Sequence, residues 1–85
     1  MRIIDDKTNT AEPRADDLLN ELGFIEVENS EGYIVYTHRE LGSILFNKKY
    51  KDIIVTNNMG FPRCIKTKEL KAINKQVEEL GWFDE

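Results

Sequence analysis

A helix signal with both ends marked, near the C-terminus, constrains the fold of this chain more than any other feature. Thr67 is a favourable N-cap residue. The apolar stripe that follows at helical spacing consists of Leu70, Ile73, Val77 and Leu80. Gly81 can adopt the left-handed conformation that ends a helix, and Trp82 then stands where a Schellman motif makes its hydrophobic contact. The pattern predicts an amphipathic helix that covers another layer of structure.

A shorter helix signal lies near the other end of the chain. Pro13 suits the first turn of a helix, and Asp16 and Asp17 follow where the helix dipole favours anions. The apolar face consists of Ala15, Leu18, Leu19 and Leu22. Gly23 is the predicted stop, and Phe24 the aromatic residue after it. Both helices are thus predicted to end in Glu-Leu-Gly-aromatic.

The middle of the chain alternates short β-prone runs with turn residues. The runs are 25–27, 33–37, 43–46, 53–56 and 61–65. They begin about ten residues apart with short connections, which is typical of an antiparallel meander. Pro62 cannot donate to a ladder, so the last run is at best an edge strand.

These elements predict an α+β fold: a two-layer sandwich of a four- to five-stranded antiparallel meander, with an N-terminal and a C-terminal helix packed on it. Residues 1–12 are expected to form a flexible arm and residues 13–85 a single domain, since 85 residues hold only one core. The other sheet face stays open to water or a partner. The residues expected in the core are Leu19, Leu22, Tyr36, Ile44, Phe46, Ile54, Leu70, Ile73, Val77 and Trp82.

Composition excludes several classes of protein and site. No apolar run reaches the roughly 18–20 residues that a membrane-spanning helix needs, and the acidic N-terminus lacks the apolar stretch of a secretory signal. Cys64 is the only cysteine, which excludes an intrachain disulfide and a cysteine-based zinc site. We therefore expect a cytoplasmic protein with no metal, no cofactor and no membrane contact.

Few residues could carry catalysis. His38, the only histidine, could act as a general base oriented by Glu40, or could lie in a hairpin turn without a chemical role. Cys64 could be a nucleophile activated by Arg63 and Lys66, or a small buried apolar residue. No phosphate-binding glycine loop or other enzyme motif is present. We expect a protein that is not an enzyme.

The charges of this small acidic protein are segregated, although its net charge is only −4. Residues 1–38 hold three basic and nine acidic side chains, a net charge of −6. Residues 39–77 hold nine basic and three acidic side chains, a net charge of +6, and residues 78–85 add −4. Such separation indicates two alternative binding surfaces, although a mixed solvated surface also accounts for it.

Each charged half supplies a candidate site. Spaced carboxylates in the acidic half could bind a basic groove on a partner protein by electrostatic complementarity. This partner-binding set is Asp16, Asp17, Glu21, Glu26 and Glu28. Basic residues around an aromatic side chain could instead follow a nucleic-acid backbone. The nucleic-acid-binding set is Lys48, Lys49, Tyr50, Lys51 and Arg63.

The segment from Glu69 to Trp82, ELKAINKQVEELGW, resembles the C-terminal end of small uncharacterised proteins encoded by phages and prophages of Gram-positive bacteria. In those proteins, too, a strand-rich middle precedes a similar helix that ends in Glu-Leu-Gly-Trp. The matching residues are structural, in the apolar stripe and at the helix end. The resemblance therefore implies an origin and a fold, and it carries over no catalytic residue.

A phage origin, small size and missing catalytic groups favour an accessory protein that binds and modulates a host macromolecule, for example as an inhibitor of a host defence nuclease. A nucleic-acid-binding accessory factor that uses residues 48–51 is the alternative. A homodimeric structural component is the second alternative, with the open sheet face or Trp82 and Phe83 as its contact. The expected partner is accordingly a host or phage protein, nucleic acid or a second copy of the chain.

Overall fold

The computed structural model of the protein describes residues 13–84, so the arm predicted over residues 1–12 lies outside the described residues. Two helices flank four strands, which confirms the predicted α+β class. In chain order the elements are α1 (Ala15–Glu21), β1 (Phe24–Asn29), β2 (Tyr33–His38), β3 (Gly42–Asn47), β4 (Asp52–Thr56), α2 (Thr67–Glu79) and a 3₁₀ turn (Trp82–Asp84).

The helices begin close to the predicted residues. At the start of α2, however, the Glu69 carboxylate, rather than the Thr67 side chain, accepts a hydrogen bond from a backbone N–H. Thr67 is already the first helical residue, and the N–H of Lys66 donates to Oε1 of Glu69 at 2.8 Å. In α1 the N–H of Arg14 donates to Oδ2 of Asp17 at 3.3 Å. A carboxylate three residues into each helix therefore accepts an N–H that would otherwise lack a partner, as in one half of a capping box.

The glycine stops are confirmed at the C-terminal ends of both helices. Gly23 has a φ of +101° and Gly81 a φ of +78°, a region that glycine adopts without steric cost. After the first stop, Phe24 enters the core and is fully buried. After the second, Trp82 packs edge-on to Phe46, with 6.5 Å between ring centroids. Each helix end thus delivers an aromatic side chain to the same core.

The four strands form one sheet in the order β1-β2-β3-β4, and every neighbouring pair is antiparallel, which confirms the meander. A bulge between Glu26 and Glu28 shifts the register of β1 against β2. Of the described residues in the run 61–65, only Pro62 forms a bridge, with Thr56, so this run is not a fifth strand. Pro62 has no N–H with which to extend a ladder.

One face of the sheet carries the core. Its buried strand residues are Ile34, Tyr36, Ile44 and Phe46. They share one cluster with Leu19 of α1 and with Ala72, Ile73 and Val77 of α2. Residues on the opposite sheet face are more exposed, because successive side chains of a strand point to opposite sides.

The predicted core list is largely confirmed but contains two errors. Six of its members are buried: Leu19, Tyr36, Ile44, Phe46, Ile73 and Val77. Leu22 and Trp82 are partly buried against this core. Ile54 and Leu70 are 49% and 46% exposed, so the prediction is wrong for both. Ile54 pairs with Leu45 on the open face of the sheet, whereas its neighbour Val55 lies on the core side.

The error at Leu70 has a simple geometric cause, which is the rotation of α2 about its own axis. The helix buries a stripe that begins one residue earlier than predicted and includes two polar side chains. The buried residues of α2 are Glu69, Ala72, Ile73, Gln76 and Val77. Leu70 therefore lies beside the stripe rather than on it. The two polar members, Glu69 and Gln76, need partners that a hydrophobic count does not supply.

Candidate functional site

A groove with a volume of about 740 Å³ runs between α1, the first two strands and the C-terminal turn of α2. Its walls are mostly polar. It is lined by Arg14, Asp16, Asp17, Asn20, Ile25, Glu26, Asn29, Ile34, Tyr36, Lys48, Gln76, Glu79 and Leu80. Four carboxylates stand against two cations in this lining, so its formal net charge is −2. We call this region the acidic groove.

Three elements, α1, β1 and α2, contribute the carboxylates of the acidic groove, and a fourth element, β2, contributes Tyr36. Asp16 and Asp17 lie in the first turn of α1, where the helix dipole stabilises negative charge. Glu26 lies on β1 directly opposite Tyr36 of β2. Glu79 is the last residue of α2. The groove is therefore assembled from parts of the chain that are far apart in sequence.

Tyr36 lies among three of these carboxylates, Asp16, Glu26 and Glu79. The residue is 2% exposed, and its hydroxyl donates to Oδ1 of Asp16 at 2.7 Å. Burial raises the pKa of the Tyr36 phenol well above its ordinary value, and the hydrogen bond to Asp16 and the negative charges of Asp16, Glu26 and Glu79 raise it further. The phenol therefore stays protonated at neutral pH and acts as a hydrogen-bond donor at the centre of the groove.

Glu79 also joins the two helices. Its Oε2 accepts the N–H of Ala15 at 2.8 Å, across 64 positions of sequence. That N–H belongs to the first turn of α1 and has no partner within its own helix. The carboxylate thus sits at the positive end of the α1 dipole while it contributes to the wall of the groove.

Gln76 is the other polar residue that α2 contributes to the acidic groove. It is 7% exposed, and among residues 13–84 its side-chain amide has no hydrogen-bond partner. Buried side-chain amides usually have at least one partner. Gln76 therefore brings an unused donor and an unused acceptor to a negatively charged cavity.

The structure places three members of the predicted partner-binding set together and separates two. Asp16, Asp17 and Glu26 line the acidic groove, whereas Glu21 and Glu28 do not. Glu21 is exposed on α1, and Oε2 of Glu28 accepts the Ser30 hydroxyl at 3.1 Å.

Among the groove residues that were not predicted as site residues, three carry polar groups at its centre. They are Tyr36, Gln76 and Glu79. A signal for Gln76 was present, since it is three residues after Ile73 and four before Leu80 on the apolar stripe. A polar residue inside such a stripe marks a buried polar position.

The nucleic-acid-binding set is divided between the hairpin tip and the far end of β4. At the tip, Tyr50 is 66% exposed, and Nζ of Lys49 lies 5.4 Å from the centroid of its ring. Lys51 has a left-handed φ of +59°. Nζ of Lys48 donates to the Ser30 carbonyl at 2.7 Å, which holds that lysine against the neighbouring turn.

Arg63 is not part of the tip. Its guanidinium forms two hydrogen bonds with the Glu69 carboxylate, at 3.0 and 2.7 Å, and its side chain is 12% exposed. It also donates to the carbonyl of Thr56 at 3.0 Å. The guanidinium therefore ties the loop after β4 to the start of α2, and its charge is neutralised inside the protein.

The two candidate catalytic residues, His38 and Cys64, lie outside the lining of the acidic groove. Nδ1 of His38 accepts the N–H groups of Glu40 and Leu41, both at 3.0 Å, and its ring packs edge-on to Phe24 at 5.1 Å. This is the hairpin-turn role that the sequence left open. Cys64 is exposed, so its expected burial is wrong.

Neither a metal-binding cluster nor a helix able to cross a membrane is found in the part of the chain that the structure describes. No three histidine, cysteine, aspartate or glutamate side chains are grouped so as to hold a metal ion among residues 13–84. In the same span no helix has the length and apolar character to cross a membrane.

Comparisons of the chain with protein-family models, with curated proteins and with solved structures found no match. The resemblance of the C-terminal helix to phage and prophage proteins therefore stays a prediction.

Proposed function

We propose that the protein is a non-enzymatic binding module whose acidic groove receives a positively charged surface of another protein. The acidic groove, with four carboxylates in its lining and three of them (Asp16, Glu26 and Glu79) around the Tyr36 hydroxyl, carries this proposal. Complementary charge speeds encounter and selects the partner, and it acts without a chemical step.

The class of target follows from the same charge. A nuclease holds its substrate in a basic groove, because the phosphate backbone requires positive charge. A small acidic protein that enters such a groove prevents the nucleic acid from binding. The proposal therefore includes a host defence nuclease as target. From the resemblance of the C-terminal helix to phage and prophage proteins it also includes a phage-type origin and the host cytoplasm as location.

Affinity capture from a Gram-positive host lysate tests the proposal. We expect a protein partner that resists nuclease treatment and is released as salt rises, since ion pairs at an exposed groove are screened. The test variant combines Asp17→Asn with Glu26→Gln, and the matched control combines Glu21→Gln with Glu28→Gln. Both change the net charge by the same amount, but only the first pair lines the groove.

The groove variant should lose the partner while the control retains it. Asp16 is kept in both proteins, because its carboxylate accepts the buried Tyr36 hydroxyl and its loss would also affect folding. Equal retention of the partner by the two variants would contradict a role for the groove. Absence of any saturable protein partner would contradict the proposal as a whole.

The exposed tip supports a second candidate, a nucleic-acid-binding accessory factor. Lys49 and Tyr50 offer a cation beside an exposed ring that a base could stack on. The test replaces Lys49 and Lys51 with glutamate and compares this variant with Lys68→Glu combined with Lys71→Glu on α2. Loss of nucleic-acid affinity only in the first variant would favour this candidate, and equal affinity would exclude the tip.

The open sheet face supports a third candidate, a homodimer. Val35, Leu45 and Ile54 form a cross-strand row on that face, and Ile25 on β1 is 65% exposed. This face is open because, we infer, the fold is a two-layer sandwich in which both helices cover the opposite face of the sheet. Phe83 is 66% exposed, whereas its neighbour Trp82 is partly buried against the core. A monomeric mass at micromolar concentration would contradict this candidate.

A further inference from the structure

Gln76 is the residue of the acidic groove whose position no contact of the described chain explains. Its side chain is more than nine-tenths buried, lines the groove and has no hydrogen-bond partner among residues 13–84. A buried amide in this state loses its bonds to water and gains none in return. A ligand that bonds to this amide recovers that loss when it binds, so Gln76 favours an occupant with hydrogen-bonding groups of its own.

The surroundings of Gln76 define the charge of that occupant. Asp16, Glu26 and Glu79 place carboxylates around the Tyr36 hydroxyl, and all of them line the same groove as Gln76. Each carboxylate accepts a hydrogen bond from the protein, yet each has further lone pairs for a second donor. Acceptors therefore predominate, and the complementary ligand is a cation with several donors.

The two cations in the lining do not neutralise the groove. Nζ of Lys48 is turned to the carbonyl of Ser30 and to Oδ1 of Asn29, at 2.7 and 3.2 Å. Arg14 is exposed at the rim, just before α1. With both of them counted, the lining still has a formal net charge of −2.

We propose that the acidic groove binds an arginine side chain presented by a partner protein, with the Gln76 amide oxygen and the surrounding carboxylates as acceptors. A guanidinium offers five donors in a fixed plane and can bond to acceptors on several elements at once. A lysine ammonium is more strongly hydrated and offers its donors from a single point. The groove is large enough, at about 740 Å³, to admit the side chain together with part of the segment that carries it. This assignment rests on the proposed function and names its recognition element.

The test uses nuclear magnetic resonance of the whole chain, labelled with ¹⁵N, and two short neutral-flanked peptides. One peptide carries a single arginine, and the other carries lysine at the same position. The Gln76 side-chain amide signal is assigned by its loss in Gln76→Met, which keeps the length of the side chain without its polar group. Free arginine amide forms a third arm that separates recognition of the side chain from recognition of a peptide.

We expect the arginine peptide to shift the Gln76 amide signal saturably and to bind about tenfold more tightly than the lysine peptide, which corresponds to one additional charge-assisted hydrogen bond. Gln76→Met should abolish this preference while it retains weak binding to both peptides. Equal affinity for the two peptides, or no change at Gln76, would overturn the arginine site. Tighter binding of free arginine amide than of the peptide would also overturn it, in favour of a small-molecule site.

The outcomes separate this inference from the proposed function. Suppose that the arginine and lysine peptides bind equally well and that Asp17→Asn combined with Glu26→Gln abolishes binding. The binding module is then supported, and the arginine site is contradicted. If the arginine peptide binds at Gln76 but no protein is captured from the lysate, the arginine site stands and the proposed role in the host falls. A folded Gln76→Met variant, shown by an unchanged spectrum elsewhere, is the control for both outcomes.

Discussion

The substitution Glu69→Gln should destabilise the protein far more than its conservative chemistry suggests. Glu69 is fully buried at the start of α2. Its carboxylate accepts two hydrogen bonds from Arg63, at 3.0 and 2.7 Å, and one from the N–H of Lys66 at 2.8 Å. Glutamine keeps the shape and one acceptor, but it removes the negative charge and places an amide NH₂ donor where a carboxylate oxygen accepted a hydrogen bond.

The cost can be worked from the partner that remains. The guanidinium of Arg63 stays in place, because it also donates to the carbonyls of Thr56 and Cys64, at 3.0 and 3.1 Å. A largely buried cation then has no counter-charge. Loss of one partner of a buried ion pair costs about 3–5 kcal/mol, and we expect about 3 kcal/mol because glutamine can still accept a hydrogen bond. For a domain whose total stability is about 5–15 kcal/mol, this is a large fraction.

Urea denaturation followed by the fluorescence of Trp82 measures this cost, since Trp82 packs on the core. The matched control is Glu78→Gln on the same helix. Glu78 pairs with Lys75 at 3.1 Å, but its side chain is 63% exposed, so its removal should cost less than about 1 kcal/mol. If the two variants lose the same free energy of unfolding, burial of the ion pair does not set its contribution to stability.

The same residue should make the protein acid-sensitive. Burial on its own raises the pKa of Glu69, but the hydrogen bonds from Arg63 and Lys66 and the charge of Arg63 lower it, and the net shift is below the ordinary value of 4.5. A carboxyl whose folded pKa is depressed contributes stability above its unfolded pKa and loses it as pH falls through the folded value. Stability should therefore decline below about pH 4.5, and Glu69→Gln should show less of this decline. Equal acid dependence in both proteins would contradict the assignment.

Two further variants test the backbone and the core, each against a control in the same protein. A Cβ at Gly42 (φ +113°) would lie 2.1 Å from the Thr56 carbonyl oxygen, whereas a Cβ at Gly60 (φ +87°) would meet nothing within 4 Å. Gly42→Ala should therefore cost about 3 kcal/mol or more and Gly60→Ala about 1–2 kcal/mol, for the unfavourable φ alone; equal costs in urea denaturation would refute the close approach. Ile73→Ala should cost about 2–5 kcal/mol because Ile73 is 3% exposed, and Leu70→Ala about 1 kcal/mol or less because Leu70 is 46% exposed; a reversed order would refute the rotation of α2.

The acidic groove connects folding with the proposed function. Asp16 stabilises the buried Tyr36 hydroxyl, and Glu79 accepts the N–H of Ala15 at the start of α1. The same carboxylates supply the negative charge that a partner would meet. Substitutions at these two acids therefore affect stability and binding together, whereas Asp17 and Glu26 allow binding to be tested with less disturbance of the fold.

The elements of the fold were predictable because their signals are local. A glycine that accepts a positive φ ends each helix, and runs of β-branched and aromatic residues separated by turn residues define the strands. Short connections between those strands allow little other than an antiparallel meander. The run 61–65 failed as a fifth strand, although the proline within it had already indicated an edge position.

The face of each element that is buried depends on contacts between elements and is not predictable from the sequence. A shift of one residue in the register of β4 decides whether Ile54 or Val55 faces the core. In the same way, a small rotation of α2 about its axis decides whether Leu70 or Glu69 is buried. Local propensity is nearly the same for either choice. Packing against the rest of the molecule makes the selection, and the hydrophobic periodicity of the sequence does not contain that information.

The candidate site shows the same division. The concentration of acidic residues in the first half is a property of the sequence, which also predicts that Asp16 and Asp17 lie at the start of a helix. The fold alone decided that Glu79 meets Ala15 across 64 positions and that Gln76 lies buried in the same groove. Local signals act over a few residues, whereas a groove depends on contacts between distant segments whose positions are set by burial of the shared core.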